Sequence, residues 1–170
     1  MADTAEPTLP LRVPWLWTVA IILADQATKW LAVVYLKPVR YIPVIPGFNL
    51  CYVENPGAAW GMLAGRQLFL IAFSIVVSLV FFLKRRQIFG DLYCGGLIFA
   101  VLMGGIIGNL IDRIRVGYVI DFLDFHWKQS HFPAFNIADA AICCATFALV
   151  ITHWYSERKA KKGGESPCKE

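Results

Sequence analysis

Two aspartates offer the clearest chemistry in this sequence. Asp121 stands in Val119-Ile-Asp-Phe122, and Asp139 stands in Phe135-Asn-Ile-Ala-Asp139. Two carboxylates that meet share one proton, because like charges about 3 Å apart cannot both ionise. One member then takes a proton from water while the other donates to a scissile carbonyl. This hydrolyses a peptide without metal, serine or cysteine. Each residue also has a plainer reading. Asn136 is a good N-cap and places Asp139 at the third helical position, as in a capping box, while Asp121 alone reads as a solvated loop residue. The helix N-terminus favours charge at Asp139, so Asp121 is expected to hold the proton more of the time, although a shared proton belongs to the pair. Asp124 is a competing partner close to Asp121.

Other polar residues interrupt apolar runs, where an ionisable group costs about 2.5–3.5 kcal/mol. Asp25 and Lys29 have i, i+4 spacing and share a helix face. They read either as a structural ion pair or as direct substrate contacts. Gly104 and Gly108 form a small-xxx-small pair that lets helices approach closely. Asn109, Asp112 and Arg113 follow at the outer end of that run, with Arg115 as an interfacial anchor and Gly117 as a C-cap. His126 and His131 are too few and too loosely placed for a metal site. Of the five cysteines, Cys51, Cys94, Cys143, Cys144 and Cys168, none forms a CxxC pair or stands at zinc spacing with histidine. No metal or other cofactor is expected.

These groups must be positioned by membrane helices. Hydrophobic residues make up 58% of the 170 residues and charged residues only 16%, against about 25% charged in a soluble domain. The mean hydropathy is +0.56. A net charge of +4 is too small and too dispersed for nucleic acid. A membrane-crossing helix needs about 20 apolar residues, and four candidates appear, at 13–36, 67–83, 92–111 and 137–155. The first is a retained helix rather than a cleaved signal, being long, poorly basic at its start and interrupted by Asp25 and Lys29. Lys84, Arg85 and Arg86, and then Arg158, Lys159, Lys161 and Lys162, mark the cytoplasmic side. Both termini are therefore cytoplasmic, and segments 37–66 and 112–136 face outward. Residues 39–53 carry β-branched and aromatic residues broken by Pro43, Pro46 and Gly47, which predicts one or two short strands. Residues 122–133 are expected to be a flexible loop over the site, with Trp127 and Phe132 at the interface. Residues 1–159 form one all-α membrane domain, and 160–170 are expected to be a disordered cytoplasmic tail.

Five motifs in order then resemble one family. Asp25-Gln-Ala-Thr-Lys29, Asn55-Pro-Gly-Ala-Ala59, Gly108-Asn-Leu-Ile-Asp-Arg113, Val119-Ile-Asp-Phe122 and Phe135-Asn-Ile-Ala-Asp139 are similar to the motifs of the bacterial lipoprotein signal peptidases (signal peptidase II), across residues 15–155. The resemblance implies four transmembrane helices, a small extracytoplasmic β-cradle and a short periplasmic helix. It implies an aspartic endopeptidase of the inner membrane that cuts diacylglyceryl-modified prolipoproteins just before the lipidated cysteine. It makes Asp121 and Asp139 the catalytic pair and places Asp25, Lys29, Asn55, Gly108, Asn109, Arg113 and Asn136 around them, binding substrate or supporting the site. It also implies inhibition by globomycin-type cyclic peptides; membrane lipids are the further expected partner, and a monomer is expected. Departures are small: Trp60 stands where phenylalanine is common, and Glu54 and Asp124 are additional acids.

Three rival readings make different demands. A proton-coupled exporter would depend on Asp25, a non-catalytic adaptor would tolerate loss of both aspartates, and a Ser-Lys peptidase would use Ser74 or Ser78 with Lys29.

Overall fold

The computed structural model describes residues 11–58, 62–90 and 92–164, with side chains up to residue 159. Helix α1 (Trp15–Leu31) continues through a π-helical turn (Ala32–Leu36). Strands β1 (Tyr41–Ile45) and β2 (Phe48–Asn55) follow, then α2 (Gln67–Leu83), a short α3 (Arg85–Phe89), α4 (Gly95–Val116), β3 (Val119–Trp127), β4 (Ser130–His131) and α5 (Ile137–Gly164). Three helical segments are long and apolar enough to cross a membrane: Trp15–Leu36, Gly95–Val116 and Ile137–Lys159. Helix α2 is apolar but shorter, at 17 residues.

The bundle is arranged for lipid rather than water. Leu16, Leu23 and Trp30 of α1, Leu68 and Phe73 of α2, and Phe147 and Val150 of α5 are exposed. The buried positions of α1 are Thr18, Asp25 and Lys29. A soluble helix buries its apolar stripe; α1 instead turns its polar stripe inward and its apolar surface outward. Helix α4 is the central element, packing on α1, α2 and α5. Its glycines make the close approach possible. A Cβ on Gly105 would stand 2.5 Å from the Ala138 carbonyl of α5, and one on Gly104 would stand 2.8 Å from Ile21 Cβ of α1.

The strands form one antiparallel sheet in the order β1-β2-β3-β4. Gly47, at φ 89°, makes the tight turn joining β1 to β2. In β3, alternation sends Ile120 and Phe122 into a core with Ala32, Leu36 and Tyr52. Asp121 therefore faces the other way, and Asp124 shares parity with the core-facing residues.

Several boundaries differ from expectation. The apolar run of the third helix is expected to end at 111, but the helix continues to Val116, as the expected C-cap at Gly117 requires, so Asp112, Arg113 and Arg115 belong to its last turns. Hydropathy ends at the charges, but the backbone stays helical until Gly117 turns left-handed at φ 81°. Residues 122–133 are not a loop: most belong to the β3–β4 hairpin, held by pairs His126↔His131 and Trp127↔Ser130. The expected tail from 160 is helical at its start, because α5 persists to Gly164. Glu157, Arg158, Lys159, Ala160, Lys161 and Lys162 are good helix formers and nothing there breaks the helix. The remainder, 165–170, lies outside the described residues. Among the described residues, the short extra helix is α3, between α2 and α4, rather than in segments 37–66 or 112–136.

Candidate active site

Asp121 is supplied by β3 and Asp139 by the first turn of α5. The capping box forms as the sequence suggests. Asn136 Oδ1 accepts from the Asp139 N–H at 2.9 Å, and the Asn136 N–H donates to Asp139 Oδ2 at 3.3 Å. The capping geometry thus fixes Asp139 while leaving Oδ1 to accept from Asn109 Nδ2 at 2.7 Å.

Asp121 is 1% exposed. Its Oδ2 accepts from Asn55 Nδ2 at 3.0 Å and its Oδ1 from Asn136 Nδ2 at 2.7 Å. Burial, followed by the Asp139 carboxylate, pushes its carboxyl up to about 7, against the opposing pull of the two asparagine amides. Both aspartates line one cavity of about 440 Å³, together with Asn55, Asn109 and Arg113. Its other walls are mostly apolar: Phe132 and Phe135 on the hairpin side, Ile142 and Cys143 on α5. The cavity is large enough for an extended peptide segment, and its polar groups converge on the two carboxylates.

A second layer lies behind this cavity. Asp25 and Lys29 are both 0% exposed. Lys29 Nζ meets Asp25 Oδ2 at 2.8 Å, Asp112 Oδ2 at 3.0 Å and Asn109 Oδ1 at 2.8 Å. These three acceptors match the three N–H groups of an ammonium. The ion-pair reading of Asp25 and Lys29 therefore describes the geometry, and neither residue lines the cavity. Gly108 is required at this point, because a Cβ there would lie 2.8 Å from Asp25 Oδ2. Arg113 donates to the Gly57 carbonyl at 3.1 Å and so braces the segment after β2 against α4.

The structure thus brings together all nine residues anticipated for the site. It also draws in Asp112, read from sequence only as part of the outer end of the third helix, and Gln26, which composition and spacing did not single out. Asp112 accepts from Lys29, from Gln26 Nε2 at 3.0 Å and from the Ile120 N–H at 3.2 Å. Both residues stand inside matched motifs, and for Gln26 that was the only available signal. Asp124 lies apart from the cavity. It accepts from Asn49 Nδ2 at 2.9 Å and pairs with His131 Nδ1 at 2.9 Å. Burial pushes its carboxyl up, but His131 and Asn49 outweigh this and hold it below the usual range. Glu54 is held low by the Lys37 ammonium at the surface. Ala59 and Trp60 lie outside the described residues.

A family profile describing signal peptidase (SPase) II matches residues 17–155. The chain belongs to the signal peptidase II family. Similar family members include the lipoprotein signal peptidase of Syntrophotalea carbinolica, 44% identical over 149 residues, covering 84% of this chain and 91% of that protein. The lipoprotein signal peptidase of Shewanella loihica is 43% identical and covers 85% of this chain and 88% of its own length. A solved bacterial membrane enzyme superposes with a TM-score of 0.70 at 31% identity, covering 91% of this chain and 92% of that one. Signal peptidase II enzymes are aspartic peptidases, which agrees with a cavity whose acids are two aspartates, Asp121 buried and Asp139 partly exposed.

Proposed function

We infer that this chain is a membrane-embedded aspartic endopeptidase that removes the signal peptide from diacylglyceryl-modified prolipoproteins, cutting just before the lipidated cysteine. The observation that carries this reading is the placement of Asp121 and Asp139 on one cavity, each held by asparagine amides. Asp139, at the start of α5, has the helix dipole to favour its charge and serves as base. Asp121 is buried in a strand beside a second carboxylate and serves as acid. Asp139 takes a proton from water as the oxygen attacks the scissile carbonyl carbon. Asp121 gives its proton to the carbonyl oxygen, forming a neutral tetrahedral intermediate. Return of that hydroxyl proton to Asp121 re-forms the carbonyl while the C–N bond breaks. The amine leaves with the proton from Asp139, and the pair is restored. Asn55 and Arg113 are placed to hold substrate or the adjoining backbone.

In the bilayer, α2 serves as a fourth span beside the three longer helices. Its 17 residues reach about 26 Å at 1.5 Å per residue, close to the hydrocarbon thickness of about 30 Å. The basic residues between α2 and α4 and after α5 place both termini in the cytoplasm. The sheet and cavity mouth then face the periplasm from the inner membrane. The substrate's signal helix lies among the enzyme's helices with its lipid in the bilayer. The chain acts as a monomer, and globomycin-type peptides inhibit it by occupying the cavity.

The test is cleavage of a purified diacylglyceryl-prolipoprotein in detergent by wild type, Asp121→Asn and Asp139→Asn. Wild-type cleavage with both variants folded and inactive is expected. Cleavage retained in either folded variant would overturn the assigned pair.

A further inference from the structure

Asp25 and Asp112 share the Lys29 ammonium, and what each does with its remaining capacity is unusual. Asp25 Oδ1 accepts from the N–H of Ala138 at 2.9 Å. Asp112 Oδ2 accepts from the N–H of Ile120 at 3.2 Å. Ala138 immediately precedes Asp139, and Ile120 immediately precedes Asp121. Each buried carboxylate therefore pins the backbone one residue before one of the two site aspartates. Gln26 Nε2 ties the two pins together, reaching Asp25 Oδ2 at 3.2 Å and Asp112 Oδ1 at 3.0 Å.

We propose that the Asp25–Lys29–Asp112 cluster, bridged by Gln26, is a positioning device that sets the spacing between Asp121 and Asp139. This rests on the reading of those two aspartates as the reacting pair. The site aspartates come from β3 and α5, which share no covalent restraint closer than the hairpin between them. The pins come from α1 and α4, whose close packing is fixed by Gly104 and Gly108. The helix pair thus acts as a rigid ruler and Lys29 as the fastening between its two arms. None of Asp25, Gln26, Lys29 and Asp112 lines the cavity, so they act through other residues rather than on substrate. Lys29 adds a second effect. Asn109 Oδ1 accepts from Lys29 and from Asn136 Nδ2 at 3.2 Å, which orients its Nδ2 toward Asp139.

Simple helix fastening would affect stability alone, whereas spacing controls how strongly the carboxylates repel and so the pH range in which the pair holds one proton. A misplacement of about 1 Å at a reacting group costs about 10²-fold in rate.

The experiment measures kcat, KM and the pH profile of prolipoprotein cleavage for Asp112→Leu, Asp112→Asn and Gln26→Leu, with Asp121→Asn alongside. Asp112→Leu removes a pin and is expected to lower kcat about 100-fold with KM unchanged. As the carboxylates drift apart their repulsion weakens, and the alkaline limb of the profile moves to lower pH. Asp112→Asn keeps an acceptor for the Ile120 N–H and leaves Lys29 paired with Asp25; it is expected to restore most of the rate and the profile. Gln26→Leu removes a tie without removing a charge, and decides the matter if Asp112→Leu fails to fold. Its expected result is a smaller kcat loss with the same direction of pH shift. Folded variants with wild-type kcat, or a kcat loss with an unmoved pH profile, would overturn the proposal. Activity surviving in Asp121→Asn would instead remove the reading on which it rests.

Discussion

Replacing Asn136 with alanine separates two jobs that one side chain performs. Asn136 is 0% exposed. Its Oδ1 caps α5 at the Asp139 N–H, and its Nδ2 donates to Asp121 at 2.7 Å and to Asn109 at 3.2 Å. Loss of a side-chain cap costs about 1 kcal/mol, and loss of a hydrogen bond to the protonated Asp121 of the resting pair costs about 0.5–1.5 kcal/mol. Asn136→Ala is therefore expected to destabilise the protein by about 1.5–2.5 kcal/mol. As Asp121 gives up its proton and becomes charged, that bond strengthens by about 1–1.5 kcal/mol, so its loss lowers kcat about 10-fold. The pH dependence has a definite sign. The Asn136 amide is one of the groups holding the Asp121 carboxyl down, so its removal moves that carboxyl above about 7. Activity that requires the proton on Asp121 then persists to higher pH, opposite to the shift expected for Asp112→Leu. Asn136→Ser is the control, since serine still caps the helix but is too short to reach Asp121. The assay combines unfolding in detergent with prolipoprotein cleavage across pH. Serine should recover about 1 kcal/mol of stability without recovering the rate. Alanine and serine variants that match in stability and both retain wild-type kcat would refute this division of labour.

Two further outcomes follow from the same geometry. Gly108→Ala places a Cβ 2.8 Å from Asp25 Oδ2 and 3.3 Å from Ala138 Cβ; overpacking of this kind costs about 1–3 kcal/mol, visible as a lowered unfolding midpoint. A carboxyl raised on folding binds its proton more tightly in the folded than in the unfolded state. Asp121 therefore contributes stability that is fully present below its ordinary value of 3.8 and is lost as pH rises through about 7. The unfolding free energy should fall across that window, and the fall should flatten in Asp121→Asn; an unchanged slope would show that Asp121 is not the group responsible.

Much of this protein was legible from the chain. The apolar runs located its helices because lipid demands long apolar stretches with internally satisfied backbones. The strands in 39–53 were legible because Pro46-Gly47 punctuates β-branched and aromatic residues. Asn136 and Asp139 announced a capping box because capping is local and depends on a spacing of three residues. Motif order singled out Asp121 and Asp139, which the structure places on one cavity. It did not indicate that Asp112 joins Asp25 on Lys29, since that contact spans helices far apart in sequence. The end of α4 was legible from Gly117 as a C-cap, although hydropathy alone stopped at 111. Hydropathy reports where lipid contact ends, whereas a helix ends where its hydrogen bonds lose their partners, here at Gly117. The choice between Asp121 and Asp124 likewise belonged to tertiary structure. Both are acids in the same strand, but strand parity sends one toward the cavity and the other to Asn49 and His131. Local interactions write element type into sequence; which buried charges share a cation depends on the packing of distant segments, and only the folded chain brings those segments within 3 Å of one another.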